Sequence, residues 1–205
     1  MTTSSTPSPD FIGDHLESIY ALVMPLVRPQ LDAWPGSLVS NLVLLAEKLA
    51  QVRSSGGHVY VCGNGGSCAN AAHLVLHLRE IGVKAFDLLA DAPWVSAIAN
   101  DRAYDQVFSW TLHALGAGPE DLLIVISGSG QSKNIMKAIE WAANANLTIA
   151  GLLGNAAHNV YGGAAFDHMD SGLGIVVPSD DYGVIEDVHS ICIHALKKAL
   201  TIPQL

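Results

Sequence analysis

The chain has 205 residues, half of them hydrophobic and 14% charged, with a formal net charge of −9. That is the length of one domain with a sizeable core, and the acidic balance excludes the basic footprint that non-specific nucleic-acid binding needs. No apolar run reaches the roughly 18 residues of a membrane span, and the opening MTTSSTPSPD lacks the basic and apolar regions of a signal peptide.

In chain order, residues 1–10 read as a disordered tail and residues 11–205 as a single domain. Between Phe11 and Val52 apolar residues recur at helical spacing, with Pro35 and Gly36 marking a break between two helices. GGHVYVCGNGG reads as turn, short buried strand and turn, followed by a helix from Ser67 to Ile81. VKAFDLL is a second strand; a helical stretch, a polar turn at NDRAYD and a helix to Leu115 follow it. DLLIVISGSGQS repeats the pattern of a strand running into glycines, with a helix from Ser132 to Ala145 behind it. The strand LTIAGLLG, a loop through AAHNVYGGAAFDHMDSG, the strand LGIVVP and a helix from Tyr182 to Leu200 complete the chain. Continuously apolar strands alternating with helices predict a parallel sheet covered on both faces, with ligands at the carboxyl ends of the strands.

Two glycine-rich loops fall at such ends. Gly63-Asn64-Gly65-Gly66-Ser67 fails the dinucleotide fingerprint at Cys68, and Ser127-Gly128-Ser129-Gly130-Gln131-Ser132 fails it at Lys133. Neither is a nucleotide-triphosphate loop. Small residues let the backbone approach an anion, helix-start N–H groups point toward it, and Ser127, Ser129 and Ser132 add hydroxyls. A tight strand-to-helix turn with Ser132 as N-cap would need the same residues. Two such loops in one chain favour a bound phosphate.

His73 and His77 lie four apart on one helical face, a spacing that suits a metal ion. The last helix carries Glu186, Asp187, His189 and His194, and periodicity leaves open which histidine faces inward. The three cysteines, Cys62, Cys68 and Cys192, are odd in number and sit in apolar or glycine-rich segments, which suits reduced packing thiols in a cytoplasm.

GNGGS before a helical histidine, AIANDRAYDQVF, ISGSGQS and IEDVHSICIHAL, in that order, resemble the phosphoheptose isomerases of the sugar-isomerase (SIS) domain superfamily over residues 15–200. The resemblance implies a flavodoxin-like α/β fold with extra N-terminal helices, and a homotetramer with sites at subunit interfaces. It also implies conversion of sedoheptulose 7-phosphate to D-glycero-D-manno-heptose 7-phosphate, with one zinc per subunit. Carried over by residue, the substrate contacts are Asn64, Gly65, Gly66, Asn100, Asp101, Ser127, Gly128, Ser129 and Ser132. His73 and His194 match metal-ligand histidines, and His194 also a catalytic acid or base; His189 matches a histidine without a ligand role.

This chain departs from the family it resembles in several places. His77 stands where the family has a glutamate, both ligand and base, and Glu186 stands where it has glutamine. Gly128 replaces a threonine, Gly183 an aspartate, and HLREIGVKAF lacks an arginine-bearing segment. If positions 77 and 186 face each other, His73, His77, His194 and Glu186 form a divalent-metal set. Isomerisation through an enediolate needs a base, which is Glu186 or His77, and a proton shuttle at His194, with Glu186 also touching substrate. The alternatives are an isomerase of another sugar phosphate, or a non-catalytic sugar-phosphate-binding regulator. Retention of His194 and the gain of Glu186 favour the enzyme.

Overall fold

A computed structural model describes residues 38–154, 173–177, 179 and 181–201. The helix expected before Pro35 and the loop through AAHNVYGGAAFDHMDSG lie outside them. The described elements are α1 (Leu38–Ser55), β1 (His58–Gly63), α2 (Gly66–Glu80), β2 (Lys84–Asp87) and α3 (Ala92–Asp101). A 3-10 turn (Tyr104–Gln106) leads into α4 (Val107–Ala114), then β3 (Leu122–Ser127), α5 (Lys133–Asn144), β4 (Thr148–Gly154), β5 (Gly174–Val177) and α6 (Tyr182–Leu200).

The strands form one sheet in the order β2-β1-β3-β4-β5, and every pair is parallel. All six residues of β3 are buried, as expected of a central strand covered on both faces. Side chains alternate between two cores. Val59 and Val61 of β1 join Leu42, Leu45 and Leu49 of α1, Leu74 and Leu78 of α2, and Ile185 and Leu196 of α6. Tyr60 and Cys62 face the other way, toward Ile98 of α3, Phe108 and Leu112 of α4, and Ile135 and Ile139 of α5. The helical spacing of these apolar residues is what lets each helix lie flat on the sheet.

This strand order is the flavodoxin-like one, and its direction reverses between β1 and β3. The register pairs Gly63 with Ile126, so the two strands end side by side at that switch point. Both glycine-rich loops therefore open into the same crevice. Among the described residues, no helix is long and apolar enough to cross a membrane.

Candidate functional site

The first loop turns sharply at Gly65, whose φ of +57° lies in the region glycine favours. Gly65 is also the N-cap of α2 and brings no side-chain cap, so the helix start is held open toward the crevice. Gly63 cannot carry a side chain, because a Cβ there would lie 2.5 Å from the Ser67 carbonyl oxygen. Asn64 is locked by a reciprocal amide pair. Its Nδ2 donates to Asn134 Oδ1 at 2.9 Å, and Asn134 Nδ2 donates back to Asn64 Oδ1 at 2.9 Å. The Tyr104 hydroxyl donates to the same Asn64 oxygen at 3.1 Å.

In the second loop, the Gly130 N–H donates to Ser127 Oγ at 3.0 Å and the Gln131 N–H to Ser129 Oγ at 3.3 Å. Ser132 occupies the N-cap of α5 but makes no capping hydrogen bond. The turn therefore does not use that hydroxyl as a cap, which leaves it available to an anion. Gly128 lies under the ring of Tyr182, and a Cβ there would sit 2.6 Å from Cε1. The threonine of the resembling family does not fit beside this tyrosine. Asn100 and Asp101, at the end of α3, bond to each other at 2.8 Å. Their segment reaches the first loop through Tyr104.

α2 and α6 lie side by side on one face of the sheet and run parallel. Asn70 Nδ2 of α2 donates to the Glu186 carbonyl of α6 at 2.9 Å, and further along Lys197 Nζ donates to Glu80 Oε2. Between these two ties, His73, His77 and His194 converge. Their ring centroids are 4.5, 4.8 and 5.5 Å apart, and one ligand atom from each lies within 4.8 Å of the others. Burial, then the neighbouring His77, lowers the pKa of both His73 and His194, so both favour the neutral form a metal requires. His77 Nδ1 lies 3.0 Å from Glu80 Oε2. Bonds from Lys197, then from His77, hold the Glu80 carboxyl below its ordinary range, so it is an acceptor and Nδ1 carries the proton. The other nitrogen, Nε2, is buried with no partner in the protein. A lone pair aimed among two further neutral imidazoles fits a divalent metal.

Glu186, expected as a fourth ligand, is not in this group. It precedes His194 by eight residues, about 12 Å of helix rise. Its carboxylate lies instead against Gly66, where a Cβ would overlap it. Positions 77 and 186 therefore do not face each other within the chain. His189 is fully buried, with Nε2 3.0 Å from the Leu153 carbonyl, so it faces the core rather than the histidine cluster. The three cysteines are free thiols outside the histidine group. Asn134, Tyr104, Tyr182 and Glu80 were not singled out from sequence. Glu80 alone had a readable signal, since it falls three residues after His77 on the same helical face.

A parallel sheet of this order is shared by many flavodoxin-like domains; residues 31–154 match the SIS-domain family model, which makes this one a SIS domain. The phosphoheptose isomerase of Shewanella denitrificans is 37% identical over 188 residues, covering 88% of this chain and 92% of its own. Solved phosphoheptose isomerases from Neisseria gonorrhoeae and Francisella tularensis match with TM-scores of 0.76 and 0.75, each at 27% identity. They cover 92% and 98% of this chain, and 98% of their own chains in both cases. Within the SIS domains, the chain belongs to the phosphoheptose isomerases, a family of enzymes.

Proposed function

We propose that this protein interconverts the ketose and aldose forms of a sugar phosphate, with sedoheptulose 7-phosphate and D-glycero-D-manno-heptose 7-phosphate as the pair. The observation that carries this reading is the Glu186 carboxylate resting on Gly66, in the first of the two glycine-rich loops at the switch point. The phosphate sits on the second loop, taken by the Ser127, Ser129 and Ser132 hydroxyls and the start of α5. No lysine or arginine is needed there.

Glu186 is the base. His77 commits Nδ1 to Glu80 and points Nε2 into the histidine group, which fits a ligand better than a base. Glu186 removes the proton from the hydroxyl-bearing carbon beside the carbonyl and returns it to the neighbouring carbon. The first-loop N–H groups and the Asn64 amide, held by Asn134, stabilise the enediolate oxygens. His73, His77 and His194 would hold a divalent metal, with zinc favoured by three neutral imidazoles. When bound, that ion would supply a Lewis acid at the α2–α6 seam, two turns of α6 from Glu186. His194 is free to relay a proton only in states where it is not ligated.

Incubation with sedoheptulose 7-phosphate in deuterated water tests the reading. Aldose product with deuterium at the carbon next to the carbonyl, abolished in Glu186→Gln, is the expected result. Turnover that survives Glu186→Gln would remove Glu186 as base. No turnover of this or of six-carbon ketose phosphates would leave a binding protein. The reading also expects four chains per assembly with sites between subunits, which light scattering of the purified protein checks.

A further inference from the structure

This step rests on reading His73, His77 and His194 as a metal centre. We propose that Glu80 is the positioning residue of that centre, fixing the His77 ring so that Nε2 faces the ion and neutralising Lys197 beside it. The family resemblance places a ligating carboxylate at position 77 itself. Here the negative charge stands one turn further along α2, behind the imidazole rather than in its place.

Two contacts from different helices converge on one oxygen of Glu80. His77 Nδ1 reaches Oε2 from within α2, and Lys197 Nζ reaches the same atom from α6. A carboxylate holding one ring nitrogen of a metal-binding histidine sets the tautomer and the ring angle, and makes the other nitrogen a better donor. The centre needs this more than most, because three neutral imidazoles bring no negative charge to a dication. Lys197 makes the need greater. It lies three residues after His194 on α6, and an unpaired ammonium there would repel a metal ion.

The plainer reading is a surface ion pair one turn apart, worth little. That reading explains the Glu80–Lys197 contact but not His77. Its ring is only 12% exposed, and a buried Nε2 without a partner is unfavourable unless something binds it. The Glu80 side chain is 46% exposed, so the fold does not depend on packing it.

Chelator-treated, dialysed protein is titrated with Co(II), following heat and visible absorption, for wild type, Glu80→Ala, Glu80→Gln and Glu80→Ala/Lys197→Met. The wild type should take about one Co(II) per chain with the strong visible bands of low coordination number. Glu80→Ala should bind roughly 10- to 100-fold more weakly, with shifted bands. Glu80→Gln, which keeps an oxygen acceptor for Nδ1, and Glu80→Ala/Lys197→Met, which removes the unpaired ammonium, should each recover part of the loss. The metal-free forms should unfold at matching temperatures. Wild-type affinity and spectrum in Glu80→Ala overturn the positioning role while leaving the metal centre standing. A wild type that takes up neither Co(II) nor Zn(II) overturns the metal centre, and this inference with it.

Discussion

Gly66→Ala separates the proposed catalytic role of Glu186 from its contribution to folding. A Cβ at Gly66 would lie well inside the 3.4 Å at which ordinary contact begins, against both oxygens and Cδ of the Glu186 carboxylate. The carboxylate is the far end of a flexible side chain, so it yields before the backbone does. It must retreat by about 1 Å, and misplacement on that scale costs on the order of 10²-fold in rate. That is about 2.7 kcal/mol of transition-state stabilisation. Stability should not fall with it, because alanine at a helical position is favoured over glycine by up to about 1 kcal/mol.

The assay is kcat for ketose-phosphate isomerisation in wild type, Gly66→Ala, Glu186→Gln and the double variant, with thermal unfolding alongside. If Gly66→Ala acts by displacing Glu186, the double variant is no slower than Glu186→Gln alone. Competitive inhibition by inorganic phosphate should be unchanged in Gly66→Ala, since the serines proposed to bind phosphate lie on the other loop. A Gly66→Ala enzyme with kcat within about two-fold of wild type would refute the placement of the base. So would a double variant whose losses multiply, because the two changes would then act independently.

His189 sets part of the acid limb of stability. Burial lowers its pKa to about 4 from 6.5, so this contribution is complete above pH 6.5 and is lost as pH falls toward 4; the gap amounts to about 3 kcal/mol at ~1.4 kcal/mol per pH unit. Urea unfolding should show wild type above His189→Gln at pH 7.5 with the difference shrinking by that amount near pH 4, and a pH-independent difference would contradict it. Gly128→Thr should drive the Tyr182 ring from the second loop and raise KM, and Gly128→Thr/Tyr182→Ala should reverse the increase; a KM unmoved by the single change would show that the ring does not border the substrate. Asn134→Ala removes both bonds of the reciprocal amide pair and should lower stability by about 1–3 kcal/mol in denaturant unfolding, with a fall in kcat from the freed Asn64. Glu186→Gln should leave Co(II) affinity at the wild-type level, because the carboxylate is not among the histidines; a loss of metal would return Glu186 to the ligand set.

What could be read along one element and what could not divides along a physical line. The apolar run HVYVC followed by glycines gave β1, its loop and the start of α2, because each signal is local. The helix Tyr182–Leu200 matches its expected bounds, and Asp181 accepts N–H bonds from Gly183 and Val184 to cap it. His73 and His77 were placed on one face by spacing alone, and the structure puts them 4.5 Å apart, centroid to centroid. His194 joins them by way of the packing of α6 on α2, which resemblance carried and periodicity did not. The Asn64–Asn134 pair spans 70 residues of sequence, and the Gly128–Tyr182 approach joins the loop after β3 to the start of α6. No pattern within either segment contains such contacts.

Glu186 shows most clearly where helical periodicity runs out. Two residues eight apart share a face, which suggested that Glu186 and His194 serve one centre. Periodicity fixes the angle around the axis and says nothing of height along it, and here the height is two turns. The Asn70–Glu186 tie sets the register of α6 against α2 so that Glu186 meets the loop end and His194 the middle of the helix pair. On the reading proposed above, base and metal centre are thereby separated on one seam, with the Glu80 carboxylate behind His77. It follows that the substitutions at 77 and 186 are not one exchange of residues within a single ligand set. The histidine at 77 sits in the three-histidine group with Glu80 behind it; the glutamate at 186 sits against Gly66 in the first loop, so the proposed base and the proposed metal set can be tested one without the other.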